Sequence, residues 1–174
     1  MKDANFAGNS KSARDFLGNE WKYECMGCAI SNGSIKIPGG KIYEGEYTIL
    51  GQDPEIPIPG FLIVNVKRHI NSLAELTKDE RSEVSSVLAS AIKALKELNI
   101  VNEVTVVQEE RSKHLHIWIF PNYDWMTRKF GKGITYLRDI SAYVQEYATK
   151  EDRDKVLEVI EMVKEYFENH DINE

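Results

Sequence analysis

The eight residues His114-Leu-His-Ile-Trp-Ile-Phe-Pro121 decide the fold of this 174-residue chain. Histidine or tryptophan alternates with aliphatic residues here, and a β-strand places alternate side chains on opposite faces. We therefore expect His114, His116 and Trp118 to share one face and the aliphatic residues between them to enter the core. Two imidazoles on one strand face suit metal binding or catalysis, because a buried histidine needs a hydrogen-bond partner or a metal. The same pattern also fits a partly exposed strand with two incidental polar residues.

The rest of the chain predicts an α+β domain with a mostly antiparallel sheet. Thr77 and Glu80 form a capping-box pattern, and apolar residues at three- and four-residue steps continue from there as one long helix. Two further helical patterns follow Pro121, the second behind Thr149 and Asp152. Besides the His114 strand, the expected strands are Ile35–Ile37, Ile42–Leu50, Phe61–Val66 and Glu103–Gln108. We expect an irregular arm or a short helix over the first 20 or so residues.

Composition and charge narrow the class of protein. The formal net charge is −6, and four basic and nine acidic residues between Lys150 and Glu174 account for most of it. Residues 111–132 carry five basic residues against Asp124, which fits a small anionic ligand better than nucleic acid, although a solvated lysine-rich loop would have the same composition. No apolar stretch approaches the ~20 residues of a membrane helix, and no secretory signal is visible. We expect a cytoplasmic protein with neither membrane nor nucleic acid as a partner.

Cys25 and Cys28 are the two cysteines of the chain, at C-x-x-C spacing. Without an export signal, this spacing indicates metal or redox chemistry in a reducing compartment. A thioredoxin-like redox pair should open a helix directly after a strand, whereas turn and strand signals follow here, so we favour a metal site.

Four ordered motifs together resemble the histidine triad (HIT) superfamily. These are the C-x-x-C pair, the proline-bearing loop with Asp53, Lys67-Arg-His69 after a buried strand, and the His114–Pro121 stretch. The resemblance covers residues 23–124 and implies a five-stranded antiparallel sheet with one long packed helix, in a protein that forms a homodimer. We accordingly divide the chain into an N-terminal arm (1–22), a HIT domain (23–124) and a C-terminal helical extension packed on the same domain (125–174).

The resemblance assigns the cysteines to a structural zinc ion. In a zinc-bearing branch of the superfamily, the ligands fall at the positions of Cys25, Cys28, His69 and His114. Two thiolates and two imidazoles fill a tetrahedral Zn²⁺ site and leave no place for a catalytic water.

The resemblance also implies a covalent mechanism at a nucleotide α-phosphate. His116 falls at the position of the nucleophile, which forms a nucleotidyl-histidine. Asp53 falls at the position that binds the ribose hydroxyls, although an Asx-type loop residue before Pro54 would look the same. Trp118 replaces the third histidine and keeps one N–H donor, but it cannot carry a proton at neutral pH.

The phosphate loop before the triad also departs from the family pattern. Glu110 and Arg111 replace the usual glutamine and Ser/Thr, so we expect Arg111, Ser112 and Lys113 to supply the phosphate contacts. Residues 125–132 mix aromatic and cationic side chains, which suits either a segment over the substrate or a linker to the acidic helices.

We thus expect a nucleotide phosphohydrolase or nucleotidyl transferase, with good leaving groups such as those of dinucleoside polyphosphates. The alternative is a catalytically weak or inactive protein that binds a nucleotide or a protein partner through the same fold.

Overall fold

The computed structural model describes residues 10–172. Five antiparallel strands form the main sheet in the order β3-β4-β5-β7-β6, as the sequence predicts for an α+β fold. These strands are β3 (Tyr43–Glu44), β4 (Thr48–Gln52), β5 (Leu62–Val66), β6 (Val104–Val107) and β7 (His116–Pro121).

The two faces of β5 and β7 have different roles. Val64 is paired with Ile117 and, like the aliphatic residues two positions away on each strand, is buried in the main core. Asn65 is paired with His116 and Ile63 with Trp118 on the opposite face. The alternation in the His114–Pro121 stretch therefore separates a core face from a second face, as predicted.

Two long helices cover the core face. The helix α2 (Lys78–Glu97) begins with the predicted capping box of Thr77 and Glu80 and packs on β4 and β5. The helix α5 (Lys150–Asn169) begins with a second capping box, of Thr149 and Asp152, and packs on α2. Both helices bury aliphatic side chains in the same core as the sheet.

Three short helices cover parts of the second face. The helix α1 (Met26–Ser31) contacts β5, whereas α3 (Asp124–Phe130) and α4 (Leu137–Tyr147) pack around Phe61 and Phe120 in a separate apolar cluster. Met126 is fully buried in this cluster, so residues 125–132 dock on the domain. No residue of that segment lines the cavities at His116 described below.

The N-terminal segment differs from our expectation. Residues 1–9 lie outside the described part of the chain, and the following residues form a hairpin of β1 (Lys11–Arg14) and β2 (Glu20–Tyr23) rather than an irregular arm. The Asp15 carboxylate accepts the N–H groups of Leu17 and Asn19 and closes the turn, while Phe16 is buried in the main core. This local pairing is too short to produce a periodic sequence pattern.

The predicted strand at Ile35–Ile37 is also wrong. Ile35 and Ile37 are buried against Ala29 of α1, but the segment pairs with no strand in the described structure. Burial of alternate residues produced the strand-like pattern without a ladder of hydrogen bonds.

In residues 10–172, no helix is both long and apolar enough to span a membrane.

Glu80 also joins α2 to the segment that follows β5. Its carboxylate is nearly inaccessible and accepts two hydrogen bonds from Arg68, each 2.8 Å long, and one from the Thr77 N–H. The Arg68 guanidinium lowers the pKa of Glu80 to about 2. Because the folded-state pKa is lowered, this stabilisation is present above the ordinary pKa of 4.5 and is lost as the pH falls towards 2.

We predict that Glu80→Gln lowers the free energy of unfolding by about 2 kcal/mol at pH 7, because the Arg68 guanidinium loses its charged partner. The loss should shrink as the pH falls from 5 towards 2, where the wild-type carboxylate is itself protonated. Urea denaturation across this range measures it. Asp79→Asn, which removes a neighbouring exposed carboxylate, is the control and should cost less than half as much. An equal loss in both variants at pH 7 would contradict the role of the Arg68 pair.

Candidate metal centre and active site

Four side chains from three segments converge between α1 and the sheet. Cys25 is the N-cap of α1, Cys28 lies in its first turn, His69 follows β5 and His114 precedes β7. One ligand atom from each residue lies within 4.8 Å of all the others. The structure therefore brings together the four residues predicted to bind zinc, in a cluster that could hold a metal ion.

The distances in this cluster match a tetrahedral site. Nδ1 of His114 lies 3.3 Å from Sγ of Cys25 and 3.5 Å from Sγ of Cys28. Nδ1 of His69 lies 3.5 Å and 3.1 Å from the same sulfurs, and the two Nδ1 atoms are 3.4 Å apart. Zinc–nitrogen and zinc–sulfur bonds of about 2.0 and 2.3 Å give tetrahedron edges of about 3.3–3.8 Å. The four residues thus fit Zn²⁺ in both donor type and spacing.

Neighbouring groups hold His114 in the form that a metal requires. Its Nε2–H donates to the Val66 carbonyl at 2.6 Å, which leaves the Nδ1 lone pair facing the cluster. Burial lowers the pKa of His114, against the opposing effect of this hydrogen bond, and favours the neutral ring. A metal-ligating imidazole requires both this tautomer and the neutral ring.

Gly27 is a requirement that our sequence analysis missed. A Cβ atom at this position would lie 2.4 Å from Cδ2 and 2.5 Å from Cγ of His114. The ring therefore occupies the space that a side chain between the two cysteines would need. Asn65 adds a further tether, because its Nδ2 donates to the Gly27 carbonyl at 3.2 Å and to Oγ of Ser31 at 3.0 Å. The glycine inside the C-x-x-C pair was the available signal.

The expectation that no helix begins at the C-x-x-C motif is wrong. The C-x-x-C motif does open a helix, α1, shortly after a strand, β2. The metal assignment rests instead on the two imidazoles beside the sulfurs. Burial, together with a hydrogen bond and repulsion from Cys25, raises the pKa of Cys28 to about 11.

His116 is held in a defined tautomer. Its Nδ1 lies 3.0 Å from the His114 carbonyl oxygen, which can only accept a hydrogen bond, so Nδ1 carries the proton. Nε2 is then left unprotonated in the neutral ring. The side chain is half-buried, at the wall shared by two cavities.

The first of these, which we call the Asp53 cavity, has a volume of about 380 Å³. Its apolar wall includes Ile37, Ile49 and Ile63, and the metal cluster lies at one side. Five of the six residues predicted for catalysis or substrate binding line it, namely Asp53, Ser112, Lys113, His116 and Trp118.

The second, which we call the arginine cavity, has a volume of about 360 Å³. Arg111, the remaining predicted residue, lines this cavity rather than the first. Ser112, His116 and Trp118 line both. Arg138 of α4 also lines it, and nothing in the sequence predicted this residue, because it lies on a separate helix 20 residues after Trp118.

Glu110 does not line either cavity. Its carboxylate accepts a hydrogen bond from the Ser72 hydroxyl, so this loop residue is held by the segment after β5. The repulsion that an inward-facing Glu110 would exert on a phosphate is therefore absent from this arrangement.

Trp118 is anchored at the far end of the site. Its ring packs edge-on against Phe61, with the centroids 5.3 Å apart, and lies 6.4 Å from the His116 ring. The third position of the motif is thus tied into the apolar cluster beneath α3 and α4.

Asp53 is held as an Asx-type loop residue and also lines the Asp53 cavity. Its Oδ1 accepts the N–H groups of Glu55 at 2.9 Å and Ile56 at 2.8 Å. Burial raises the pKa of Asp53 to about 7, although these two hydrogen bonds lower it. Because the folded-state pKa is raised, stability is lost as the pH rises from the ordinary value of 3.8 to about 7.

We predict that Gly27→Ala weakens zinc binding at least tenfold, because the new methyl group displaces the His114 ring. Competition with a chromophoric chelator measures the affinity, and metal analysis should give about one zinc per wild-type chain and none in Cys25→Ser. Met26→Ala, a change in the same helical turn that removes bulk, should retain the wild-type affinity. An unchanged affinity in Gly27→Ala would show that the ring has room to move.

We predict that Asp53→Asn removes a pH dependence of stability. The variant should gain about 2–4 kcal/mol over the wild type between pH 4 and pH 8, because only the wild type must ionise a buried carboxyl. Urea denaturation at several pH values measures the difference. Glu55→Gln is the comparison and should gain less over the same range, because burial raises the pKa of Glu55 as well but this side chain is only partly buried, whereas Asp53 is buried. A difference between Asp53→Asn and the wild type that does not change with pH would contradict the burial of an ionisable Asp53.

Comparison with known proteins places this geometry in a known fold. No family model matches the chain, and no curated protein does. Among solved structures, a hypothetical histidine triad nucleotide-binding protein from Sulfolobus tokodaii is 18% identical over 83% of this chain and 93% of its own, with a TM-score of 0.59.

Two further solved structures are similar to this chain over most of their length. A zinc-bound histidine triad family protein from Mycobacterium smegmatis is 16% identical over 83% of this chain and 96% of its own, with a TM-score of 0.58. A HIT family protein from Bacillus anthracis is 23% identical over 79% and 94%, with a TM-score of 0.53. At these identities the similarity shows the fold. The chain has the α+β fold of the histidine triad superfamily, as its motifs predicted.

Proposed function

We propose that this protein is a nucleotide phosphohydrolase or nucleotidyl transferase that acts at an α-phosphate through a covalent nucleotidyl-His116. The observation that supports this most directly is the hydrogen bond from His116 Nδ1 to the His114 carbonyl. It leaves the Nε2 lone pair available to a ligand in the adjoining cavities, and an imidazole nucleophile needs this arrangement.

In the proposed first step, the Nε2 lone pair of His116 attacks the α-phosphorus. The bond between that phosphorus and the leaving-group oxygen breaks, and the oxygen takes the electron pair. The imidazole becomes a phosphorylated cation, and the His114 carbonyl, which still accepts the Nδ1–H, stabilises its charge.

In the second step, the oxygen of water or another acceptor attacks the same phosphorus. The phosphorus–nitrogen bond breaks, its electron pair returns to Nε2, and the acceptor loses a proton to solvent. His116 regains the tautomer with which it began.

The Asp53 cavity suits the nucleoside part of the substrate. Its isoleucine-lined wall would contact the base, and the Asp53 carboxylate would accept hydrogen bonds from the ribose hydroxyls. Ser112 and Lys113 would contact the phosphate. The metal cluster would supply rigidity to this wall rather than chemistry, since its four protein ligands leave no open position.

Trp118 limits the range of leaving groups. An indole N–H can donate a hydrogen bond but cannot transfer its proton at neutral pH. A phosphate anhydride leaves as a weakly basic oxygen and needs no proton, whereas the amine of a phosphoramidate does. We therefore propose dinucleoside polyphosphates or similar anhydrides as substrates.

The second candidate is a protein that binds nucleotides without turnover. The anchoring of Trp118 against Phe61 favours it, because no proton-transferring side chain then occupies the third triad position. The two candidates differ in whether a covalent intermediate forms.

Trapping of the intermediate separates the candidates. The zinc-loaded protein is incubated with a radiolabelled dinucleoside polyphosphate, carrying adenine or guanine, and then denatured in alkali. We expect an acid-labile label on the wild type and none on His116→Ala. His170→Ala, which removes an exposed imidazole at the end of α5, should label like the wild type. Binding of the nucleotide without label or turnover would favour the second candidate.

A further inference from the structure

Arg138 reaches the active-site region from the C-terminal part of the chain. It is the second residue of α4, and it faces His116 and Trp118 across the arginine cavity. A cationic side chain from a helix outside the histidine motifs therefore lies at the same cavity as the proposed nucleophile.

Arg138 and Arg111 share one carboxylate. Nη2 of Arg138 donates to Oε2 of Glu109 at 2.8 Å, and Nη2 of Arg111 donates to both carboxylate oxygens at 2.8 and 2.7 Å. Two guanidiniums offer about ten N–H donors, whereas one carboxylate accepts about four hydrogen bonds. Arg111, Arg138 and Glu109, which we call the trio, keep a net charge of +1 and more N–H donors than Glu109 can use. The trio can therefore bind a further anion.

Stability does not account for this arrangement. The side chains of Arg111 and Arg138 are 70% and 64% exposed, and that of Glu109 is 43% exposed. Ion pairs this exposed contribute little to folding, because water screens the charges and the side chains lose conformational freedom. The same exposure makes the guanidiniums accessible to a ligand.

The position of the trio indicates which anion it would bind. Ser112, His116 and Trp118 separate the Asp53 cavity from the arginine cavity and line both. A phosphorus atom attacked by His116 lies at this boundary. With the nucleoside in the Asp53 cavity, the phosphates beyond the bond that breaks extend into the arginine cavity.

We propose that Arg138 and Arg111 form a binding subsite for the phosphates of the leaving group. This inference rests on the proposed function and deepens it, because it assigns substrates whose leaving group carries at least two phosphates. Glu109 holds both guanidiniums in the free protein, and the entering phosphates take over these hydrogen bonds. Guanidinium groups suit this exchange because they bind carboxylate and phosphate with the same planar geometry.

Inorganic tripolyphosphate tests the subsite without nucleotide or turnover. Isothermal titration of the zinc-loaded protein should show binding that Arg138→Gln weakens about tenfold, the effect of losing one charge-assisted hydrogen bond. Arg138→Lys should recover part of the affinity, and Glu109→Gln should tighten binding. The control is Arg128→Gln, which removes an equal charge from α3 outside the arginine cavity and should change affinity less than twofold. Equal affinities for Arg138→Gln and Arg128→Gln would overturn the subsite.

Steady-state kinetics then test its role in specificity. Arg138→Gln should lower kcat/KM about tenfold for a dinucleoside tetraphosphate and leave kcat/KM unchanged for a nucleotide aryl ester, whose phenolate leaving group carries no phosphate. An equal fall for both substrates would overturn a role specific to the leaving group. Failure of the proposed function would instead show as absence of labelled His116, a result that leaves the tripolyphosphate titration interpretable.

Discussion

The convergence of Cys25, Cys28, His69 and His114 supports the architecture around the candidate active site. The helix α1 has six residues, and a helix this short does not form by itself in water. Its remaining apolar support is a small cluster separate from the main core. A metal ion held by all four side chains would cross-link α1 to the segments after β5 and before β7, and would thereby fix one wall of the Asp53 cavity. His114 links this cluster to the proposed chemistry, since its side chain belongs to the cluster and its carbonyl orients His116.

The alternation of faces on β7 connects this site to the core. Ile117 is buried against β5 and the helices α2 and α5, whereas His116 and Trp118 face the cavities. A shift of the strand by one residue would expose the aliphatic side chains and bury an imidazole in the core, so the hydrophobic core fixes the register of the nucleophile. The packing of the opposite face of the sheet therefore fixes the position of His116 in the candidate active site.

Periodicity and local sequence signals predicted much of this structure, but they did not predict its shortest elements or the contacts between distant segments. The strands β5, β6 and β7 and the long helix α2 follow from alternation or periodicity along the chain, and the capping boxes of α2 and α5 follow from four-residue signals. The expected strand Ile42–Leu50 is instead divided by a turn into β3 and the start of β4. The helix α1 and the β1–β2 hairpin are too short to produce such patterns, and Ile35–Ile37 resembled a strand because alternate residues are buried there. For the site, the C-x-x-C pair, the Asp53 loop, Lys67-Arg-His69 and the His114–Pro121 stretch each identified residues inside one short motif. Gly27 lies inside the first of these motifs, but its close approach to His114 follows only from the fold. Arg138 lies outside all four motifs, and no spacing along the chain records that it lines a cavity with His116.

The replacement of the third histidine by Trp118 acquires a physical meaning beside Arg138. A leaving group can be stabilised by a proton or by neutralisation of the charge that develops on it. Trp118 cannot supply the proton, and its ring packs against Phe61 in the apolar cluster that also receives α4. The same helix carries Arg138 to the arginine cavity. Under the proposed function, Trp118 removes proton transfer and packs in the same apolar cluster that positions Arg138. The charge of Arg138 compensates for the missing proton only when the leaving group is a polyphosphate. An anhydride substrate is then the consistent choice, because it needs charge neutralisation and no proton.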